Sequence, residues 1–115
     1  MNEIAAGTGV DAAGIALAHS ALPDESVLAG SPTTAQHALA PVGVAEVGIW
    51  EMTAGTASDV EVDEVFVVIS GRATISFQDS ELPDLEVGPG SVARLGEGMR
   101  TVWTVTETLR KVYIA

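Results

Sequence analysis

Short runs rich in Val, Ile, Thr and aromatic residues fill the chain from Ala45 onward, and turn-forming residues close each run. This pattern is typical of consecutive β-strands, because β-branched and aromatic side chains suit a pleated sheet whereas Gly, Pro, Asp and Ser suit chain reversals. The regular spacing of the runs favours an all-β domain, an antiparallel sandwich or barrel. The predicted strands lie near residues 45–53, 58–69, 73–78, 84–87, 91–95, 101–107 and 109–114.

The clearest turn signal is Ser70-Gly71, which separates the apolar runs 65–69 and 73–77. Glycine adopts the positive φ that a tight hairpin requires, so we predict a β-hairpin at this point. Further turn clusters reverse the chain at intervals of roughly ten residues; they lie at 79–84, 88–90 and 96–98.

The first 40 residues differ from the rest of the chain. They are rich in Ala, their periodicity is weak, and glycines and prolines interrupt them repeatedly. We interpret residues 1–40 as an N-terminal arm with short strands and residues 41–115 as the barrel, with a helix over 11–21 as a less supported alternative. A length of 115 residues suits one domain with a single core.

The charge balance excludes several classes of partner. Sixteen acidic residues oppose five basic ones, for a formal net charge of -11, and every basic residue lies beyond position 71. Nucleic acids and anionic lipids require clustered Lys and Arg, so neither is an expected partner. The chain has no cysteine, which excludes disulfides and thiol nucleophiles, and its apolar runs are shorter than the ~20 residues of a membrane helix. We expect a soluble, cytoplasmic protein.

Two spacings in the barrel region carry a family resemblance. Glu64 is followed by six residues and Gly71, and Gly90 is followed after five residues by the turn Gly96-Glu97-Gly98. These spacings resemble the two motifs of the cupin superfamily, whose members are small RmlC-like, jelly-roll β-barrels. In the second motif a glycine stands where the family has a proline.

A closer resemblance is to the single-domain cupins related to ureidoglycine aminohydrolase and to the cupin of ethanolamine utilisation. The resemblance implies a cupin barrel preceded by an N-terminal arm. It also implies a homodimer, of a kind often formed through sheet contacts and an exchanged N-terminal arm. The matching segments are 27–32, 48–55, 63–71, 101–103 and 107–114.

The residues depart from the metal chemistry of that family. Metal-binding cupins place two histidines six and four residues before the motif glutamate and a third after the second turn, and these positions hold Ser58, Val60 and Thr101. Hydroxyl and apolar side chains do not replace imidazole ligands, so we predict a barrel with no metal and no cofactor. His19 and His37 lie in the arm and are predicted to be surface or packing residues, unless an exchanged arm brings one over a barrel mouth.

An acidic run precedes the first motif. Alternate residues of a strand share a face, which places Asp59, Glu61 and Asp63 together. We expect these three to form a solvated face, with Glu64 directed inward.

The resemblance also predicts which side chains face the barrel interior. They are Ser58, Glu64, Phe66, Thr101 and Trp103, with Trp50 and Met52 beside them. Apolar walls with a few polar groups describe a small-molecule pocket. A filled core made of the same side chains is the alternative that the sequence leaves open.

Glu64 is the most informative of these residues, because a carboxylate in an aromatic cavity must take up a proton or find a cationic partner. Arg94 and Arg100 are the candidate partners, and Arg100 is also a candidate anchor for a ligand carboxylate. Arg110 and Lys111, on the last strand, are predicted to be edge charges or dimer contacts.

Three functions remain open at this point. The first is metal-independent binding of a small organic ligand, acidic ones included, or a role as an accessory protein. The second is an enzyme with ureidoglycine-aminohydrolase-like or isomerase-like chemistry, in which Glu64 is the general acid or base. The third is a structural dimer whose sheet pairs with another chain.

Overall fold

A computed structural model describes residues 4–115, which form nine β-strands and one short 3-10 helix at Asp24–Ser26. The predicted all-β class is confirmed. Among these residues no helical segment has the length and apolar character needed to cross a membrane. The strands are β1 Ser20–Ala21, β2 Val27–Ala29, β3 Thr33–Val42, β4 Ala45–Met52, β5 Gly55–Val60, β6 Glu64–Gln78, β7 Leu85–Val87, β8 Val92–Leu95 and β9 Arg100–Ile114.

The sheet is organised around the two longest strands, β6 and β9, which pair antiparallel along most of their length. On its other edge, β9 pairs with β5 through residues 100–105 and with β4 through residues 109–114. Strands β3 and β1 extend the sheet beyond β4, β2 extends it beyond β5, and β7 and β8 pair with β6. The curled antiparallel sheet that results confirms the expected jelly-roll barrel.

The core lies inside the curl, where side chains of β6 and β9 meet those of the flanking strands. Phe66, Val68 and Ile75 of β6 are fully buried, as are Leu95 of β8 and Leu109 of β9. Burying apolar side chains of this size stabilises a fold by about 1.5–3 kcal/mol each, so this cluster fixes the barrel's shape.

The predicted strand 58–69 is two strands. β5 ends at Val60 and β6 begins at Glu64. The residues between them leave the sheet because Glu61 pairs instead with the turn before β9: its N–H donates to the carbonyl of Met99, and its own carbonyl accepts from Gly98, both at 2.8 Å. Strand alternation therefore does not run through the acidic segment.

The predicted hairpin at Ser70-Gly71 is wrong. β6 continues through both residues, and the pairing with β9 shifts register on either side of them, which marks a bulge. Gly71 has the expected positive φ, +84°, but a Cβ there would lie 2.5 Å from the Leu109 Cα. The two long strands thus bend together at Gly71 and Leu109, and the predicted strands 101–107 and 109–114 are the continuous β9.

The N-terminal region contributes directly to the barrel. β3 pairs along the whole of β4, and the predicted boundary between residues 40 and 41 falls inside β3. The segment before β1 is held by Arg110, whose Nη1 donates to the carbonyls of Ala12 and Ile15 at 2.8 and 2.7 Å. Arg110 also donates to Glu51 through Nε and Nη2.

The prediction that Arg110 and Lys111 are edge charges is wrong. Both side chains are buried, because β9, although last in the chain, lies in the middle of the sheet with partners on both sides. Arg110 lies under the N-terminal segment, and Lys111 contacts Glu64 and the aromatic rings described below.

Candidate functional site

A row of paired residues crosses four strands at the centre of the site. Gln36 of β3 pairs with Trp50 of β4, Trp50 pairs with Lys111 of β9, and Lys111 pairs with Val68 of β6. Paired residues share one face of a sheet, so the Lys111 side chain lies on the same face as buried Val68. The sheet register therefore places a lysine among the core side chains.

The Lys111 ammonium is enclosed by one carboxylate and three aromatic rings. Its Nζ lies 2.5 Å from Glu64 Oε1, and it lies 4.4, 4.7 and 4.8 Å from the ring centroids of Phe66, Trp50 and Trp103. The side chains of Lys111 and Glu64 are 5% and 9% exposed. Each charge thus compensates the burial of the other, and the rings add cation–π attraction.

The predicted arginine partners of Glu64 lie elsewhere. Arg94 faces Asp63 at 3.8 Å and Arg100 faces Asp79 at 3.6 Å, in pairs that are mostly solvent-exposed. Glu64 does have the predicted cationic partner, but it is Lys111.

Glu61 is a second buried carboxylate that sequence reasoning placed on a solvated face. The residue is only 6% exposed, and its Oε2 accepts hydrogen bonds from Thr101 Oγ1 at 2.5 Å and from Trp103 Nε1 at 3.0 Å. The expectation failed because it extended strand alternation through a loop. The available signal was the pair of inward donors on β9, since a buried indole N–H and hydroxyl both require an acceptor.

The polar groups converge on an open cavity of about 340 Å³, here called the acidic cavity. A second space of about 230 Å³, the apolar cavity, shares Trp50, Trp103 and Asp59 with it and is otherwise lined mostly by small or apolar residues. The acidic cavity is lined by Gln36, Glu46, Trp50, Asp59, Val60, Glu61, Val62, Glu64, Trp103, Lys111, Tyr113 and Ala115. The apolar cavity adds Leu22, Pro23, Ser26, Thr34, Met52, Ala57 and Ser58.

Tyr113 provides a fixed hydrogen-bonding group on the cavity wall. Its hydroxyl donates to Glu46 Oε2 at 2.7 Å and accepts from Gln36 Nε2 at 2.9 Å. Gly48 makes room for the ring, because a Cβ at that position would lie 2.5 Å from the Tyr113 Cζ. Burial raises the pKa of Tyr113, and the hydrogen bond to Glu46 raises it further, so the phenol stays a donor at neutral pH.

Asp59 lines both cavities. Partial burial raises its pKa above the ordinary value, and the neighbouring negative charge of Glu61 raises it further. The Val60 N–H, which donates to Asp59 Oδ1 at 2.8 Å, opposes this shift. The site therefore has an excess of negative charge around Asp59 and Glu61.

The structure brings together most of the side chains that the sequence singled out. Trp50, Trp103 and Glu64 line the acidic cavity, whereas Met52 and Ser58 line the apolar one. Phe66 and Thr101 are fully buried behind them, Phe66 against Lys111 and Thr101 against Glu61. Arg100 lines neither cavity and remains at the exposed surface beside Asp79.

The donor set does not fit a transition metal. In the described part of the chain no three His, Asp or Glu side chains are grouped so as to hold a metal ion. The Thr101 hydroxyl is engaged by Glu61, the Val60 side chain is an exposed alkyl group, and the Lys111 ammonium lies against Glu64. The absence of a bound metal stays a prediction.

Several solved structures resemble this fold. EutQ from Clostridium difficile is 18% identical, with a TM-score of 0.61 over 72% of this chain and 67% of that chain. A putative ethanolamine utilization protein Q from Salmonella typhimurium is 14% identical, with a TM-score of 0.60 over 71% and 68% of the two chains. A protein of unknown function from Pseudomonas syringae pv. tomato is 22% identical, with a TM-score of 0.72 over 87% of this chain but only 44% of that one. At these identities the likeness shows the fold alone.

The comparison with curated proteins gives no match. The model of the EutQ-like cupin domain, in contrast, matches residues 39–113, which run from the middle of β3 almost to the end of β9. This chain belongs to the EutQ-like cupin family.

Proposed function

We propose that this protein binds a small organic ligand in the acidic cavity without the help of a metal. The observation that carries the proposal is the Glu64–Lys111 pair, which is buried among three aromatic rings and lines the cavity. A buried ion pair is weak support for stability, since apolar side chains of similar size often serve a core as well or better. A charged pair beside an open cavity is better explained by recognition.

The surroundings of the pair support the same conclusion. The cavity volume of about 340 Å³ is in the range of small-ligand sites, and tryptophans alternate with a few convergent polar groups along its wall. Phe66 belongs to the filled core and lines neither cavity, whereas Trp50 and Trp103 line both cavities and Met52 lines the apolar one. The barrel interior therefore contains both a packed core and open cavities.

A blocked-cavity variant tests this proposal. Val62 lines the acidic cavity and is 56% exposed, so Val62→Trp obstructs the opening without disturbing the core. Val92→Trp is the matched control, because Val92 is 67% exposed and lines neither cavity. A thermal-shift screen of small amines, alcohols, carboxylates and ureido compounds is run on all three proteins, both with and without excess chelator.

We expect at least one compound class to raise the melting temperature of the wild type and of Val92→Trp but not of Val62→Trp. Equal shifts in Val62→Trp would place binding outside the cavity, and shifts that vanish with the chelator would contradict metal independence. Elemental analysis of the purified protein is expected to find no stoichiometric transition metal.

A second candidate, proton transfer by Glu64, is favoured by the ammonium donor held 2.5 Å from it at the cavity wall. The resemblance to ureidoglycine aminohydrolase supplies the first substrate to try. Ammonia release from ureidoglycine, present with the wild type and lost in Glu64→Gln, would support this candidate. No release by the wild type, or equal release by both proteins, would exclude it for this substrate.

A further inference from the structure

The carboxylates of the acidic cavity outnumber its cations. Glu46, Asp59, Glu61 and Glu64 line it, and among residues 4–115 Lys111 is the one basic residue that does so. Lys111 is engaged by Glu64, and in the described part of the chain the other three carboxylates form no ion pair. We infer that the ligand is a small organic ammonium compound, an inference that rests on the proposed function and narrows it.

Glu61 provides the most specific support. The residue is more than nine-tenths buried and lines the cavity, and its Oε2 accepts two hydrogen bonds. Its other oxygen, Oε1, accepts none from residues 4–115. Oε1 is not enclosed by protein and is open to the cavity, so a ligand N–H₃⁺ group can donate to it and also supply a compensating charge.

Asp59 gives independent support from the wall of the cavity. Its pKa is raised by partial burial and by the negative charge of Glu61. A cation bound near these two carboxylates would offset the repulsion between them. The cavity therefore has a place where positive charge is lacking, and the Glu64–Lys111 pair does not fill it.

The geometry favours an organic cation over a metal ion. Metal coordination needs several ligand atoms around one point, and the described residues contain no such group of side chains. An ammonium needs only separate acceptors and an aromatic face, which Glu61, Asp59 and the two tryptophans provide. An acidic ligand, which Arg100 suggested, would meet three carboxylates that have no ion-pair partner and, among residues 4–115, no arginine.

The tryptophans also define the rest of the ligand. Trp50 and Trp103, with ring centroids 5.4 Å apart, border the apolar cavity as well as the acidic one. Apolar surface thus begins beside the carboxylates. A short alkyl or aryl group attached to the ammonium would bury against these rings, so we expect a tail to increase affinity.

Three probes of matched size test the inference: n-butylammonium chloride, 1-butanol and sodium butyrate, each titrated calorimetrically into the full chain at one ionic strength. We expect n-butylammonium to bind at least about tenfold more tightly than the other two. Glu61→Gln is expected to weaken that binding by a similar factor, because it removes the buried charge but keeps the shape. Glu81→Gln, an exposed residue outside both cavities, is the control. Should Glu61→Gln not fold, Glu46→Gln replaces it.

Each other outcome is decisive. Binding of 1-butanol or butyrate in preference to n-butylammonium would overturn the ammonium inference and leave ligand binding in the cavity intact. Binding of none of the probes would also overturn it. If n-butylammonium bound Val62→Trp as well as it bound the wild type, the site would lie elsewhere, and the proposed function would fail with the inference.

Discussion

Lys111 donates from β9 to Glu64 at the start of β6, so the two longest strands of the barrel are joined by an ion pair as well as by their backbone ladder. Phe66, two residues after Glu64, contacts the same ammonium through its ring. The site and the main strand pairing of the fold therefore share the same residues. Changes at the pair are expected to affect both stability and binding.

Replacing Lys111 alone is expected to be strongly destabilising. Lys111→Met leaves the Glu64 carboxylate buried against aromatic rings with no compensating charge, at a cost of about 3–5 kcal/mol in the free energy of unfolding. Urea denaturation, monitored by tryptophan fluorescence, measures this change in the free energy of unfolding.

The double variant Lys111→Met with Glu64→Gln is the control, and it is expected to recover more than half of the lost stability. A cost below about 1 kcal/mol for Lys111→Met alone would show that the pair is solvated.

Tyr113 permits a direct spectroscopic test, because it is the one tyrosine in the sequence. Its pKa is raised above 10.0 by burial and by the Glu46 carboxylate. The neutral phenol thus contributes stability that is fully present below pH 10 and is lost as the pH rises through the folded-state pKa. Tyrosinate absorbance during an alkaline titration is expected to rise later than that of an unfolded control.

The matched variant is Glu46→Gln, which removes the charge that faces the phenol. Its tyrosine is expected to ionise at a lower pH than in the wild type. Coincident titration curves for the two proteins would contradict the hydrogen bond between Tyr113 and Glu46.

Asp59 is expected to reduce stability when it is ionised. Because its pKa in the folded protein is raised above the ordinary 3.8, the penalty is present at pH 7 and disappears as the pH falls below that value. Asp59→Asn keeps an acceptor for the Val60 N–H and is expected to stabilise the protein at pH 7 by less than about 1 kcal/mol, since solvent screens an exposed group. Thermal unfolding at pH 7 and at pH 3 compares the stability of Asp59→Asn with that of the wild type. If the variant were stabilised equally at both pH values, the ionised carboxylate of Asp59 would not be the cause.

Two glycines with the same φ angle distinguish steric crowding at Gly71 from the strain of its backbone conformation. Gly71 and Gly98 both have φ of +84°, but a Cβ at Gly71 would collide with Thr108 and Leu109, whereas nothing lies within 4 Å at Gly98. Gly98→Ala is expected to cost about 1–2 kcal/mol through backbone strain alone. Gly71→Ala is expected to cost a further 1–3 kcal/mol or so through overpacking. Chemical denaturation compares the two variants, and equal costs would mean that the strands separate easily at the bend.

The sequence predicts the strands well where strict alternation continues, and it fails where two distant segments meet. The local pattern around Gly71 predicts a hairpin, because a turn and a bulge both need a positive φ. What decides between them is the backbone at Thr108 and Leu109, far away in the chain. The local pattern around Gly71 has no information about that contact.

In the candidate site, too, the sequence predicts some residues correctly and fails where contacts distant in sequence decide the structure. Trp50, Trp103 and Glu64 were predicted to be inward-facing from motif register, and all three line the acidic cavity. The buried position of Lys111 does not follow from the sequence, because the order of strands along the chain does not show that β9 has partners on both sides. Glu61 was missed because the chain leaves the sheet after Val60, which alternation alone does not reveal.

The position of β9 also affects how the protein is made. Of the nine strands in residues 4–115 it comes last, yet β4, β5 and β6 all hydrogen-bond to it. On the ribosome those three strands emerge without their shared neighbour, and their apolar faces stay uncovered until residues 100–114 have left the exit tunnel. Folding is thus delayed almost to the end of this segment's synthesis and depends on contacts distant in sequence, which form slowly. A nascent chain that stops before Arg100 is expected to aggregate or to require a chaperone, however complete its first eight strands are.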